Sequence, residues 1–148
     1  MADNKWDFRF LELAKVVSTW SKDPSTQTGA VIVRPDKTIV SLGFNGFPQG
    51  MPDSAELYAD REIKYSRIVH CEVNALIFAN ESVKGCTLYT YPFISCDRCC
   101  VQMIQAGISR IVAPQASYEQ LTRWKEAFDK SRLYCKETGV ELVELDFK

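Results

Sequence analysis

The sequence predicts an α/β protein, a three-layer α/β/α sandwich around a mixed sheet of about five strands. Three observations carry that prediction. Short apolar, β-branched runs alternate with helical periodicity in the order α-β-β-α-β-α-β-α-β. The first two strands are joined by a short turn and so pair as a hairpin, whereas each later strand is reached through a helix, as parallel crossovers require. The 148 residues form a single domain, 1–148, with one core. A chain of this length buries roughly 68–70% of its unfolded surface and needs no disulfide to fold.

The elements follow in order. Trp6, Phe10, Leu13, Val17 and Trp20 recur at three and four residues, a helical stripe read as core-facing, with Asp3 or Asn4 to cap its start. Residues 21–26 are a polar loop. Residues 28–33 are a buried strand, 34–37 a turn and 38–44 a second strand. A glycine-punctuated loop, 43–50, leaves the hairpin. Residues 51–69 are charged and weakly periodic, with one helical turn expected at 60–64, and long connections of this kind are often functional. The next run, 71–80, is apolar on nearly all sides and reads as a buried central helix. A strand at 86–91 leads to a helix at 99–106, which Gly107 stops. A strand at 108–112 follows. Ser117 and Gln120 form a capping box for a helix carrying Leu121, Trp124 and Phe128. Gly139 ends that helix, and 140–145 alternates as a last, edge strand.

Composition excludes several function classes. The formal charge is −1, which argues against a broad electrostatic footprint for DNA or RNA. No apolar run approaches the ~18 residues of a membrane span. The polar start, Met1 to Lys5, has no apolar run behind it, so no signal peptide is expected. Six cysteines then read as reduced thiols of a cytoplasmic protein, two of them on a metal and Cys86 and Cys135 inert.

The chemistry gathers at His70-Cys71-Glu72 and at Cys96-Asp97-Arg98-Cys99. His70 is the only histidine. One imidazole and two thiolates make a three-ligand zinc site, and a fourth tetrahedral position left open to water marks a catalytic site rather than a structural one. His70 and Glu72, two apart, can serve one centre only if His70 lies where its helix begins. Cys96 and Cys99 share a helix face, also at a helix start. Two helix N-termini, each worth about +0.5 charge, would then favour thiolate and offset the loss of metal charge to two sulfurs. Cys100 competes with Cys99 on spacing, but C-x-x-C is the commoner ligand pattern. A closed, non-catalytic site completed by Cys71 or Cys100 is the alternative, and it leaves Glu72 without a role. An open zinc with one adjacent carboxylate suits hydrolytic removal of ammonia from an amidine-like ring carbon, the carboxylate moving the protons. The peptidase pattern H-E-x-x-H is absent.

His70-x-Glu72 with Cys96-x-x-Cys99 resembles the signature of the zinc-dependent cytidine and deoxycytidylate deaminases. Ser21-Lys22-Asp23-Pro24, Gly29 to Val33, Gly43-Phe44-Asn45-Gly46-Phe47-Pro48-Gln49-Gly50, His70 to Ala75 and Gln105 to Ile108 extend the resemblance over nearly the whole chain and narrow it to the deoxycytidylate branch. The implied fold is the cytidine deaminase-like sandwich. The implied activity is conversion of dCMP to dUMP and ammonia, with Zn²⁺ on His70, Cys96 and Cys99 and Glu72 as proton carrier. The resemblance further implies Asn45 on the sugar, or on sugar and base together, Thr28 in the base pocket, the Cys71 N–H at the 2-oxo group and Tyr118 near sugar or phosphate. Lys22, with Ser25 or Gln27, would hold the 5′-phosphate. Activation by dCTP and inhibition by dTTP with Mg²⁺, and a homo-hexamer, are implied too. Phe44, Gly46, Asp53, Arg61, Lys64 and Tyr65 are the candidates for that regulatory site. Two positions depart from the family pattern. Ser95 replaces a proline, which predicts a looser loop, and Cys71 replaces a small residue. The competing readings are the same chemistry on a free nucleoside or a polynucleotide base, and a non-catalytic zinc-binding module.

Overall fold

A computed structural model describes residues 4–147. One five-stranded sheet, in the order β2-β1-β3-β4-β5, forms the middle layer. β1 (Gly29–Val33) lies antiparallel between β2 (Ile39–Phe44) and β3 (Thr87–Tyr91). β3, β4 (Arg110–Pro114) and β5 (Glu141–Leu145) run parallel. The expected mixed sheet, with its initial hairpin and an edge at the last strand, is therefore present. β1 is buried at every position, which is why its sequence is apolar without alternation.

α1 (Lys5–Ser18) covers one face, packing Phe10, Leu11 and Ala14 on Val31, Val33, Tyr89 and Val112. Its buried side is rotated from the stripe the sequence predicts, since Trp6 is 41% and Trp20 51% exposed. The reason is the closeness of the layers. A Cβ on Gly29 would lie 2.2 Å from the Ala14 carbonyl oxygen. Such an approach selects small residues, and the indoles are left outside, Trp6 stacked on Phe10 at 5.8 Å. The Asn4 side chain makes no cap; its carbonyl accepts from Phe8 N at 2.9 Å. Asp3 lies outside the described residues.

The other face carries α4 (Cys71–Ile77), α5 (Asp97–Ala106) and α6 (Tyr118–Thr138). They pack Cys71, Ala75, Met103 and Cys135 on Ala30, Ile32, Leu88 and Ile111. α6 begins with the expected Ser117–Gln120 capping box, and α5 stops at Gly107, whose φ is +98°. Two expectations fail here. α4 ends at Ile77 and buries only Cys71, Glu72 and Ala75, while Ile77 and Phe78 are 62% and 52% exposed. It sits over the β2 edge of the sheet, so its outer flank has nothing to pack on. Segment 51–69 holds two short helices rather than one turn, α2 (Ala55–Ala59) and α3 (Arg61–Arg67). Ser54 and Asp60 cap them through Leu57 N and Ile63 N, and at five and seven residues neither is long enough to show a period.

Under α1, the buried Asp7 carboxylate accepts from Tyr89 Oη at 2.6 Å and from both Arg110 terminal nitrogens at 2.7 Å. This network ties α1 to β3 and β4. Among the described residues no helix is long and apolar enough to cross a membrane. β3 is the strand at which the sheet changes from antiparallel to parallel pairing. At the end of the sheet where β1 begins and β3 stops, with Gly29 opposite Tyr91, the segment after β3 leads into α5.

Candidate active site

α4 and α5 begin side by side. His70 and Cys96 are their N-cap residues, both in extended backbone, so each turns its side chain across the start of its helix. Cys99 lies in the first turn of α5. The His70 ring Nδ1 lies 3.1 Å from Cys99 Sγ and 3.6 Å from Cys96 Sγ, and the three donor atoms fall within 4.8 Å of one another. Tetrahedral zinc holds nitrogen and sulfur donors about 3.5–3.8 Å apart. The cluster fits that ion with a small adjustment.

Neither of the competing thiols joins the cluster. Cys71 Sγ donates to Glu72 Oε1 at 2.9 Å. Cys100 Sγ points to Cys135 Sγ and the Ser131 carbonyl, each at 3.8 Å. Among the described residues the donor set therefore has three members. Protons within the set are already unevenly shared. The bond from Cys99, reinforced by His70, draws Cys96 down to about 4, and the same bond together with burial pushes Cys99 upward. The Cys96 sulfur also raises His70 against the effect of burial. A thiolate held against an imidazole and a thiol is a ready cation site, because a metal replaces the shared protons. Cys71 is pushed well up, by burial first and then by the Glu72 charge, and stays a thiol.

Glu72 is 5% exposed and lines the same pocket as His70, Cys71 and Cys96. Thr28, Asn45 and Thr90 line it too, and Tyr91, Phe93, Trp124 and Phe128 make an aromatic wall. The Asn45 amide is largely occupied. Oδ1 accepts from Thr28 N at 2.8 Å, and Nδ2 donates to the Thr26 carbonyl at 2.9 Å and to Asp23 at 3.3 Å. One lone pair of Oδ1 remains for a ligand. Ser95 is buried, and its carbonyl accepts from Ser131 Oγ at 2.7 Å. The loop before Cys96 is thus pinned by α6, where the missing proline predicts looseness.

Several expected residues lie elsewhere. Lys22 is not at the pocket; its ammonium pairs with Asp53 at 2.9 Å on the surface. Tyr118, the first residue of α6, is 87% exposed and outside the pocket. Lys64 and Tyr65, expected at a separate regulatory site, line this pocket instead. Lys64 Nζ lies 2.8 Å from the buried Asp23 carboxylate, which draws α3 inward. Phe44, Gly46, Asp53 and Arg61 lie outside the pocket. Phe44 packs edge-on against Trp20, and Gly46 bridges to Val69. Sequence reasoning missed Asp23, Arg123 and the aromatic wall as pocket residues. Asp23 belongs to the Ser21-Lys22-Asp23-Pro24 motif, but nothing in the spacing of Arg123 or Phe93 points to a pocket.

A family model described as the cytidine and deoxycytidylate deaminase zinc-binding region matches residues 4–115. An uncharacterised deaminase in the luxG 3′ region of Aliivibrio fischeri is 43% identical, over 96% of this chain and 95% of its own length. The deoxycytidylate deaminase of Mus musculus is 35% identical over 92% of this chain and 77% of its own. The crystal structure of dCMP deaminase from the cyanophage S-TIM5, in complex with dCMP and dUMP, superposes with a TM-score of 0.79 at 22% identity. It covers 98% of this chain and 100% of its own, and it shares the fold.

Proposed function

We propose that this chain, which belongs to the cytidine and deoxycytidylate deaminase family, converts dCMP and water to dUMP and ammonia. The observation that carries the reading is the buried Glu72 carboxylate in one pocket with a three-donor cluster that, among the described residues, no fourth protein group closes. His70, Cys96 and Cys99 would hold zinc, which when bound supplies Lewis-acid activation of water at neutral pH.

The remaining work falls to the protein's own groups. Glu72 accepts a proton from the attacking water and passes it to the ring nitrogen beside the reacting carbon. It then takes the second proton, from the hydroxyl now on that carbon, and gives it to the amine, so that the C–N bond breaks, the carbonyl forms and ammonia leaves. The Cys71 thiol, held neutral by burial, donates to Oε1 and fixes the carboxylate's orientation. The backbone N–H of Cys71, in the first turn of α4, has no acceptor within its own helix, and it is assigned to the 2-oxo group. Thr28 borders the base, and the remaining Oδ1 lone pair of Asn45 suits a sugar hydroxyl. The aromatic wall excludes water from the base, which strengthens each of these polar contacts.

The Glu72→Gln variant tests this directly. It keeps the shape and the metal donors but cannot take a proton, so zinc content should stay at wild-type level while turnover falls by about 10²–10⁴-fold, the usual contribution of a positioned acid–base group. Wild-type turnover in that variant refutes the mechanism. Ammonia release from dCMP, deoxycytidine and a single-stranded oligonucleotide separates the nucleotide reading from the other substrate classes. The formal charge of −1 and the absence of a basic stripe favour the small substrate.

Regulation by dCTP and dTTP with Mg²⁺ and a homo-hexameric assembly are carried by the family resemblance, and a cytoplasmic location by the six free cysteines. The loop from Gly43 to Asp53, with Arg61, remains the proposed regulatory region. Lys64 and Tyr65 are left out of it because they border the catalytic pocket. Turnover with and without each triphosphate, and the mass in solution, test these proposals.

A further inference from the structure

Resting on the nucleotide reading above, we infer that Arg123 on α6, rather than Lys22, binds the 5′-phosphate of the substrate. Two side-chain cations besides His70 line the catalytic pocket, Lys64 and Arg123. Lys64 is neutralised by Asp23 at 2.8 Å. Arg123 pairs with no carboxylate among the described residues; its guanidinium lies over the Trp124 ring, 4.8 Å from the centroid. Glu119, one turn earlier, borders the adjoining groove but makes no ion pair with it.

The placement fits the length of a nucleotide. The pocket opens into a groove, and Thr26, Tyr91, Phe93, Arg123 and Trp124 line both spaces. With the base at Glu72, the sugar points past the aromatic wall and the phosphate reaches this shared boundary. Arg123 offers a planar fork of donors there, already held in place by stacking and so losing less freedom on binding. The hydroxyls of Ser25 and Thr26 border the same groove and make no hydrogen bond among the described residues, so they can supply further donors. Lys22 is not among the lining residues, and Asp53 already holds its charge.

The test compares kcat/KM for dCMP and for deoxycytidine in the wild type, Arg123→Gln, Arg123→Lys and Lys22→Gln. Arg123→Gln should lower the ratio of dCMP to deoxycytidine efficiency at least tenfold, chiefly through KM, and Arg123→Lys should restore part of it. A ratio within twofold of wild type in Arg123→Gln, or an equal loss in Lys22→Gln, overturns the assignment. Calorimetric binding of dUMP reads the same contact without turnover. If the wild type deaminates neither compound, the enzymatic reading fails by itself. Weaker dUMP binding in Arg123→Gln then still supports the phosphate site, and unchanged binding removes it. The exposed position of Arg123 leaves folding intact, which equal melting temperatures confirm.

Discussion

Replacing Gly43 by alanine should damage catalysis from a position that is neither a metal donor nor one of the residues lining the pocket. Gly43 is on β2, directly beneath α4. A Cβ placed there lies 2.4 Å from Ala75 N and 2.5 Å from the Cys71 carbonyl oxygen, both backbone atoms. Ordinary contact begins at 3.4 Å, so the helix must retreat by about 1 Å. Backbone cannot rotate away as a flexible side chain can. The Asn74 side chain also holds α4 to the Phe44 carbonyl at 2.8 Å and resists the move. Forcing one methyl into such a contact costs about 1–3 kcal/mol, and the melting temperature should drop by roughly 3–10 °C for a domain of this size. The larger consequence is functional. α4 carries His70 and Glu72, whereas Cys96 and Cys99 are on α5, so moving α4 alone separates the carboxylate from the rest of the site. A 1 Å misplacement of reacting groups costs about 10²-fold in rate. Turnover of dCMP well below the melting point measures this, with Gly139→Ala as the comparison. Gly139 has φ +79° and nothing within 4 Å of an added methyl, so its alanine strains only the end of α6. Equal turnover per folded molecule in Gly43→Ala and wild type would refute the coupling of β2 to the site.

Two further predictions concern the core and the metal. Asp7→Asn should destabilise the fold by about 3 kcal/mol, the low end for breaking a buried ion pair, because Arg110 keeps Glu141 and is 24% exposed. Burial raises the Asp7 pKa, but the hydrogen bonds from Arg110 and Tyr89 and the Arg110 charge outweigh it and leave the carboxyl below its ordinary value. Its contribution is therefore complete above the unfolded pKa of about 3.9 and is lost as pH falls through the folded value. Melting temperatures between pH 7 and pH 2 should converge for wild type and Asp7→Asn at the acid end, and a constant gap would contradict this. For the metal, Cys99→Ser should lose zinc to a chelator far more readily than wild type, while Cys100→Ser retains it, because the Cys100 sulfur faces Cys135 rather than His70. Metal content after dialysis decides between them, and the opposite order would exchange their roles.

What the sequence reveals and what it hides follow from the range over which each feature acts. The order of elements and the mixed sheet were legible because buried strands such as Gly29–Val33 must be apolar and because the Ser117–Gln120 box acts within one turn. The clustering of His70, Cys96 and Cys99 was legible because His70 is unique and Cys96-x-x-Cys99 is local chemistry. The buried face of α1 was not, since hydrophobic size points to Trp6 and Trp20 while close packing on Gly29 selects Ala14. Nor was the helical content of 51–69, where side-chain caps at Ser54 and Asp60 stand in for periodicity.

The pocket wall shows the same division at finer scale. A lysine in a motif and an arginine on a helix are equivalent positive charges in a sequence, and the fold tells them apart by where the acids lie. Asp53 draws Lys22 to the surface, and Asp23 engages Lys64 beside the pocket. Asp23 itself is stationed by contacts that span the chain, accepting from Ser25 N at 2.8 Å, from Asn45 Nδ2 and from Lys64 Nζ. Those partners come from three separate segments, and no local pattern connects them. Once they are satisfied, Arg123 is the one guanidinium lining the pocket, and among the described residues it has no acid opposite it. On the proposed reading, the cation that meets the phosphate is picked out by elimination among the chain's own ion pairs, a property of the fold that charge counting along the sequence cannot supply.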